Sequence, residues 1–400
     1  MPVIPRFNLN LSWSDLDYAL GRFISREIGA VPRWEKSFAD FLGVNSAFFV
    51  PSARGGLRLL LSLINPEKKR ALVSAFNHPA IPDAVKAAGL SPVFCDIGLD
   101  DYSLDPQALT PELLSQVGVI ILPHLYGCPA KIAPIREIAR EHGVILLEDC
   151  AQSCGAFYGE QKTGSFGEAS VFSFALTKNF TTLGGGMIAV QDPELGEKIK
   201  SKLENLPVTP NAELFGKWIM ALGMKIAAAP GFFNLTLYPG LRLGYDMQNR
   251  DLLHPLFAEK SGEVGEIIRR PAEMQAQLAL KNLAHLDEKN QRRSKLGEEL
   301  LQLLSGIEGV TLPQILPPAR HIFLSCVVRV QNPGEIARKL LQQGIDTAPG
   351  YLGCMAPDKE NYPCALSLEK EQLHLPIYNQ LTSRDLKRIA QALAQAVKAG

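Results

Sequence analysis

Three stretches decide how the chain reads: Val144-Ile145-Leu146-Leu147-Glu148-Asp149-Cys150-Ala151-Gln152, Ser170-Val171-Phe172-Ser173-Phe174-Ala175-Leu176-Thr177-Lys178-Asn179 and Leu183-Gly184-Gly185-Gly186. The first two each open with a short apolar run, the composition of a strand buried on both faces. Such a run closing on Glu148 and Asp149 places an acid where open α/β sheets bind ligands, beyond the carboxyl ends of strands. A helix N-cap is the other reading of Asp149, since aspartate is favoured there. Lys178 follows the next run in an apolar, glycine-flanked turn. Desolvation there disfavours its ammonium form and makes the amine available as a Schiff-base nucleophile; a surface loop lysine is the alternative. The three glycines let backbone pass close to a ligand or another chain, or form a plain hairpin turn.

Outward from these stretches the alternation continues. Apolar runs at Ala71 to Ser74, Pro92 to Asp96, Gly118 to Leu122 and Met187 to Gln191 join those at Val144 to Glu148 and Ser170 to Phe174. Amphipathic stretches separate them, for example Pro129 to His142, with Ile132, Ile135, Ile138 and Ala139 on one stripe and Gly143 as the stop. This pattern predicts a mostly parallel sheet of seven-stranded type between helices. Ser52-Ala53-Arg54-Gly55-Gly56-Leu57 reads as a small-residue turn entering a helix from Leu57 to Leu63, where exposed amides and the helix dipole suit an anion. Steric need for glycine explains the same residues without a ligand.

Residues 1–204 thus form a large domain. Residues 205–265 break the pattern with Pro207, Pro210, Pro230, Pro239 and Pro255 and an apolar segment from Phe215 to Leu241, and read as an insertion without a run long enough to span a bilayer. Residues 266–400 add one long helix, or two in series, after Pro271, a strand candidate at Ile322 to Val330, a helix at Pro333 to Gln343 and a closing helix from Ser383 to Val397 capped by Thr382-Ser383. That makes a smaller α+β domain.

Four hundred residues allow two domains or three. With 41 basic and 41 acidic side chains the net charge is zero, which leaves no global field for nucleic acid or an anionic membrane. The first ten residues show no secretory pattern, so the cytoplasm is expected. Seven cysteines without a CxxC pair, and scattered histidines, predict reduced thiols with neither a disulfide framework nor a metal site.

A phosphate cradle, a carboxylate, a hydroxyl five residues before a lysine, and a glycine turn together meet the needs of pyridoxal phosphate: an anion hole, a partner for the pyridine nitrogen and a Schiff-base lysine. At these residues the sequence resembles the DegT/DnrJ/EryC1/StrS family, the sugar aminotransferase branch of fold type I pyridoxal-phosphate enzymes. The resemblance runs through Trp34-Glu35, Phe38-Ala39, Phe41 to Val44, Ser52 to Leu57, Pro92 to Ile97 and His124-Leu125-Tyr126-Gly127. It is strongest from Glu148 to Gly186 and resumes at Gln275 to Leu278 and Leu375 to Tyr378, leaving only the insertion outside.

The resemblance implies that Lys178 carries the cofactor and later shuttles the proton, and that Asp149 holds the pyridine nitrogen protonated by charge pairing. It places Gln152 near the ring hydroxyl, and Ser52, Ser173 and the amides of Ala53 and Arg54 at the phosphate. His78 falls where relatives stack an aromatic on the ring, and a helix-start or core histidine is its other reading. Relatives often have Gly-Thr where Ala53-Arg54 stands. Ile268 stands where they offer an Asn from the neighbouring subunit, two residues before the Arg matched by Arg270. Lys178 speaks against the dehydratase outcome of members with His at that position.

The activity the resemblance implies is that of an aminotransferase: an amino acid, glutamate by family habit, donates its amino group to a keto group on a nucleotide-linked sugar or other carbonyl acceptor, in a homodimer. The alternatives are a non-catalytic or regulatory cofactor-binding relative, or another pyridoxal-phosphate reaction. Candidates for donor recognition are Arg242, Arg250, Arg320 and Arg329. For the apolar segment 215–241 the order of expectation is a reshaped acceptor pocket, an enlarged dimer contact, and last a membrane surface.

Overall fold

The chain's structure is a computed structural model describing residues 3–23, 28–235, 237–246, 265 and 267–398. Among these residues the central sheet has seven strands: β1 (Ser46–Val50), β2 (Arg70–Ser74), β3 (Ser91–Cys95), β4 (Val119–Pro123), β5 (Ile145–Asp149), β6 (Ala169–Ser173) and β7 (Gly186–Val190). Their spatial order is β1-β7-β6-β5-β4-β2-β3. β7 runs antiparallel to both neighbours, and the other adjacent pairs are parallel. Six strands therefore end at one edge of the sheet, and β7 begins there. The expected runs match six of the seven. β1 was not among them, because Ser46 to Val50 becomes a strand by pairing with Met187 and its neighbours, far along the chain.

Helices cover both faces. On one side α3 (Ala53–Ile64), α4 (Ala80–Ala87) and α6 (Pro193–Leu203) close a core with Leu57, Val73, Ile121, Ile188 and Ile199. On the other, α2 (Ala30–Leu42) and α5 (Ile132–Glu141) bury Trp34 and Phe38, and Ile132 and Ile135. α3 starts at Ala53 and not at the expected Leu57, so the small-residue stretch is itself the first helical turn. Ser52 caps it, its Oγ accepting from Gly55 N at 3.1 Å. A Cβ on Gly56 would lie 3.2 Å from both Ile188 Cγ1 and Val50 Cγ2, so glycine lets this helix seat closely on the sheet.

After Pro271 the chain makes two helices in series, α10 (Glu273–Leu283) and α11 (Leu286–Leu304). Gly297 sits inside α11, where a Cβ would lie 2.2 Å from Phe323 Cγ. The C-terminal sheet orders Val310–Thr311, β8 (Cys326–Val330), β9 (Gln372–Leu375) and Ala348–Pro349, with α12 (Pro333–Gln342) and α13 (Ser383–Lys398) packed on it. β8 begins four residues later than expected. Ile322 to Leu324 instead run against Gly127, whose added Cβ would lie 2.7 Å from Leu324 N. Thr382 and Asp385 form the capping box of α13, with Thr382 N donating to Asp385 Oδ2 at 2.9 Å.

The apolar segment folds into α7 (Asn211–Ala227), α8 (Pro230–Leu235) and α9 (Leu237–Asp246). Leu214 and Ala221 pack on Leu16 and Ala19 of α1 (Trp13–Arg22), and Phe233 and Leu241 on Val3 and Leu341. The rest of the expected insertion, residues 247–264 with Pro255 and Arg250, lies outside the described residues. Among the described residues, no helix is long and apolar enough to cross a membrane.

Candidate active site

The sheet topology collects the site. Val50 at the end of β1 faces Gly186 at the start of β7, Gly186 faces Ser173 at the end of β6, and Asp149 at the end of β5 pairs with Val171. Ser52 bridges Gly185. A Cβ on Gly186 would lie 2.5 Å from Phe172 O and 2.7 Å from Ala53 N. Ser52, Ala53 and Ser173 are therefore brought together because position 186 has no side chain. Ala53 and Arg54 are the first two residues of α3, whose N–H groups have no carbonyl of their own helix to meet.

Lys178 lies on the loop between β6 and β7, half-buried. Phe174 and Phe180 flank it, and both rings pack on Trp34, with centroids 5.8 and 5.5 Å away. Lys178 N donates to Ala175 O at 3.1 Å, and Asn10 Nδ2 donates to Lys178 O at 2.8 Å. Asn179 Nδ2 donates to Cys154 O at 2.7 Å and to Asn290 Oδ1 at 3.1 Å. The lysine's main chain is thus held through both its N–H and its carbonyl, next to the buried Asn179.

Asp149 and Glu148 are adjacent in sequence and opposite in environment. Glu148 is fully buried and takes four hydrogen bonds, from Phe166 N and Gly167 N on Oε1 (2.7 and 2.8 Å) and from Gly164 N and His124 Nε2 on Oε2 (2.7 and 2.9 Å). His124 Nδ1 accepts from Ala130 N at 3.0 Å, which leaves Nε2 as the donor to Glu148. With Cys150 these two side chains place three ligand-type atoms within 4.8 Å, but the carboxylate and the ring nitrogens are already spent on the protein. The Asp149 carboxylate accepts one hydrogen bond among the described residues, from Ala151 N at 3.0 Å. Burial pushes its carboxyl above the ordinary range, while the Ala151 amide and the charge of Lys178 pull it back. A buried carboxylate so thinly solvated is poised for a cationic partner.

Gln152 Oε1 accepts from Tyr126 N at 2.9 Å, holding Tyr126 at φ 59° and leaving the Gln152 amide nitrogen as the side-chain donor. His78 follows the short strand Phe76–Asn77, and its Nδ1 accepts from Ala80 N at 3.1 Å at the start of α4. That is the helix-start arrangement; its ring also meets Tyr351 edge-on at 6.4 Å. Ile268 is 67% exposed, Ile267 packs on Gly55, and Arg270 N donates to Pro207 O at 2.9 Å. Of the donor-recognition candidates, Arg320 is paired with Glu160 and Arg329 with Glu371, and Arg242 is exposed.

These residues fit pyridoxal phosphate. The cradle at Gly186 is one that a Cβ would fill, and Asp149 is a buried acid without a full set of donors. Sequence reasoning missed Asn10 and the Trp34, Phe174 and Phe180 cluster, which fix the lysine loop. The aromatic residues carried a signal in their density, whereas Asn10 carried none, being 168 residues from its partner.

The model of the DegT/DnrJ/EryC1/StrS aminotransferase family matches residues 23–227 and 259–394. The match takes in α7, so the family pattern reaches further into the apolar segment than expected, and only 228–258 falls between its two parts. A dTDP-3-amino-3,4,6-trideoxy-alpha-D-glucose transaminase of Streptomyces venezuelae is 28% identical, covering 98% of this chain and 96% of its own. A GDP-perosamine synthase of Caulobacter vibrioides is 26% identical over 99% of this chain and all of its own length. Among solved structures, S. venezuelae DesV superposes with a TM-score of 0.74 at 25% identity, covering 99% of this chain and 98% of that one.

Proposed function

The chain belongs to the DegT/DnrJ/EryC1/StrS aminotransferase family, and from that premise we infer that it transfers an amino group from glutamate to a keto group on a nucleotide-linked sugar. It is a pyridoxal-phosphate-dependent aminotransferase. The sugar acceptor is supported by two relatives named for amino-sugar synthesis. The observation that carries the site assignment is the meeting of Asp149, Lys178, Ser173 and the start of α3 at one edge of the sheet.

The bound cofactor's contribution is an aldehyde carbon open to amines and a pyridinium ring that draws electrons from the substrate Cα–H bond. Lys178 Nζ holds the cofactor between turnovers and, once released, takes the proton from Cα and delivers it on the other side of the transfer. Asp149 keeps a proton on the ring nitrogen by charge pairing in a buried setting. Gln152 Nε2 donates toward the ring hydroxyl. Ser52, Ser173 and the N–H groups of Ala53 and Arg54 bind the phosphate at the positive end of α3. His78 covers the ring. In this reading the enzyme works in the cytoplasm as a homodimer, and its seven unpaired cysteines suit a reducing compartment.

Borohydride reduction of the holoenzyme, followed by peptide mass spectrometry, tests the assignment: the label is expected on Lys178, and a label elsewhere or nowhere overturns it. The acceptor reading is tested by 2-oxoglutarate release from glutamate over a panel of nucleotide-linked keto sugars. Release that no panel member stimulates would refute that acceptor class.

A further inference from the structure

Leu214 and Ala221 of α7 are fully buried against the body of the protein. On the opposite side Phe215, Ile219, Met220 and Ile226 are 42, 52, 52 and 38% exposed, and α8 adds Phe232 and Leu235 at 48 and 81%. The four α7 positions share one stripe of a 3.6-residue helix. A helix that is apolar on both faces needs a second cover, and a contiguous exposed patch of this kind marks an interaction surface.

We propose that this face lies on the surface of a lipid bilayer with anionic headgroups. Between Leu214 and Leu241 the sequence has no acidic residue. The acid that precedes it, Glu213, is already taken up by Lys217 and Arg269, both at 3.1 Å. Lys217, Arg269 and the exposed Arg242 outnumber that one acid and leave the rim positive, which complements lipid phosphate. A second copy meeting the same face about a two-fold axis would set these cations against each other, with no acid between Leu214 and Leu241 to pair them. Depth is limited by length: the 17 residues of α7 reach about 25 Å, short of a ~30 Å hydrocarbon core. The helix therefore lies on the bilayer. Phe232 and Leu235 fall within 228–258, the part left out between the family matches, so the α8 end of this face is an addition to the family pattern, while α7 lies inside it.

The test is flotation of the full-length holoenzyme with vesicles of phosphatidylglycerol and phosphatidylcholine. The wild type should float with the vesicles and lose part of its binding on raising salt. The variant Ile219→Glu/Met220→Glu/Phe232→Glu should bind at least tenfold less while transaminating in solution as before. Phe232→Ser/Leu235→Ser, a milder change, should also bind severalfold less and serves if the charged variant fails to fold. Failure of the wild type to float, or undiminished flotation of the folded variants, overturns the proposal. So does a wild-type oligomer that dissociates in the variants on sedimentation, which would assign the face to a second copy.

Discussion

Adding one carbon at position 186 probes the whole site. In Gly186→Ala the new Cβ would start 2.5 Å from Phe172 O, 2.7 Å from Ala53 N and 3.0 Å from Ser52 C. All three atoms are backbone, so no side chain can swing aside, and restoring even 3.0 Å to Phe172 O requires a shift of about 0.5 Å. That shift moves β7 away from β6 and from the start of α3, the elements that carry Ser173, Ala53 and Arg54. Overpacking of this kind costs about 1–3 kcal/mol of stability. If a 1 Å misplacement costs about a hundredfold in a positioned site, half of that should weaken pyridoxal phosphate binding about tenfold. Chemical denaturation of the apoprotein measures the first effect, and titration with pyridoxal phosphate, followed by its absorbance, measures the second. A Gly186→Ala protein with wild-type stability and cofactor affinity would refute the reasoning, because it would show that the close approach at this turn does not set the cradle.

Further consequences follow from single groups. Gly216 and Gly223 lie in α7 with open space where a Cβ would stand, so alanine at either should stabilise by up to about 1 kcal/mol in the same denaturation assay. Burial raises the Glu35 carboxyl from 4.5 to about 7, against the pull of the Phe49 amide and Arg270. The folded state then binds the extra proton, so stability should fall as pH rises from about 4.5 to about 7 and level off above. Glu35→Gln should flatten that slope and gain at most about 3 kcal/mol at alkaline pH; an unchanged pH profile would rule this out. Glu148→Gln replaces two accepting oxygens by one oxygen and one donor facing N–H groups, and should destabilise by about 3 kcal/mol. A fully stable variant would show that the carboxylate does not hold the 164–167 turn.

The sequence by itself determined the strands that alternate with helices, the acid at the end of one of them, the lysine beyond the next and the glycines after it. Each of these is a local matter: an apolar run fixes a buried strand, and the polar residue at its end must emerge at the sheet's edge. The exact start of α3 was hidden because glycine and serine are ambiguous until the sheet they pack on is known; Ser52 caps the helix and Gly56 seats it. Tertiary structure alone decided that β1 joins the sheet beside β7, which is what brings Ser52 to Gly185 and Ser173. It also separated Glu148 from Asp149, giving the first four donors and the second one, a difference that neighbouring carboxylates in a sequence do not reveal. And it showed α7 apolar on both faces, since amphipathic pattern records which residues are apolar, while what covers each face depends on distant chain.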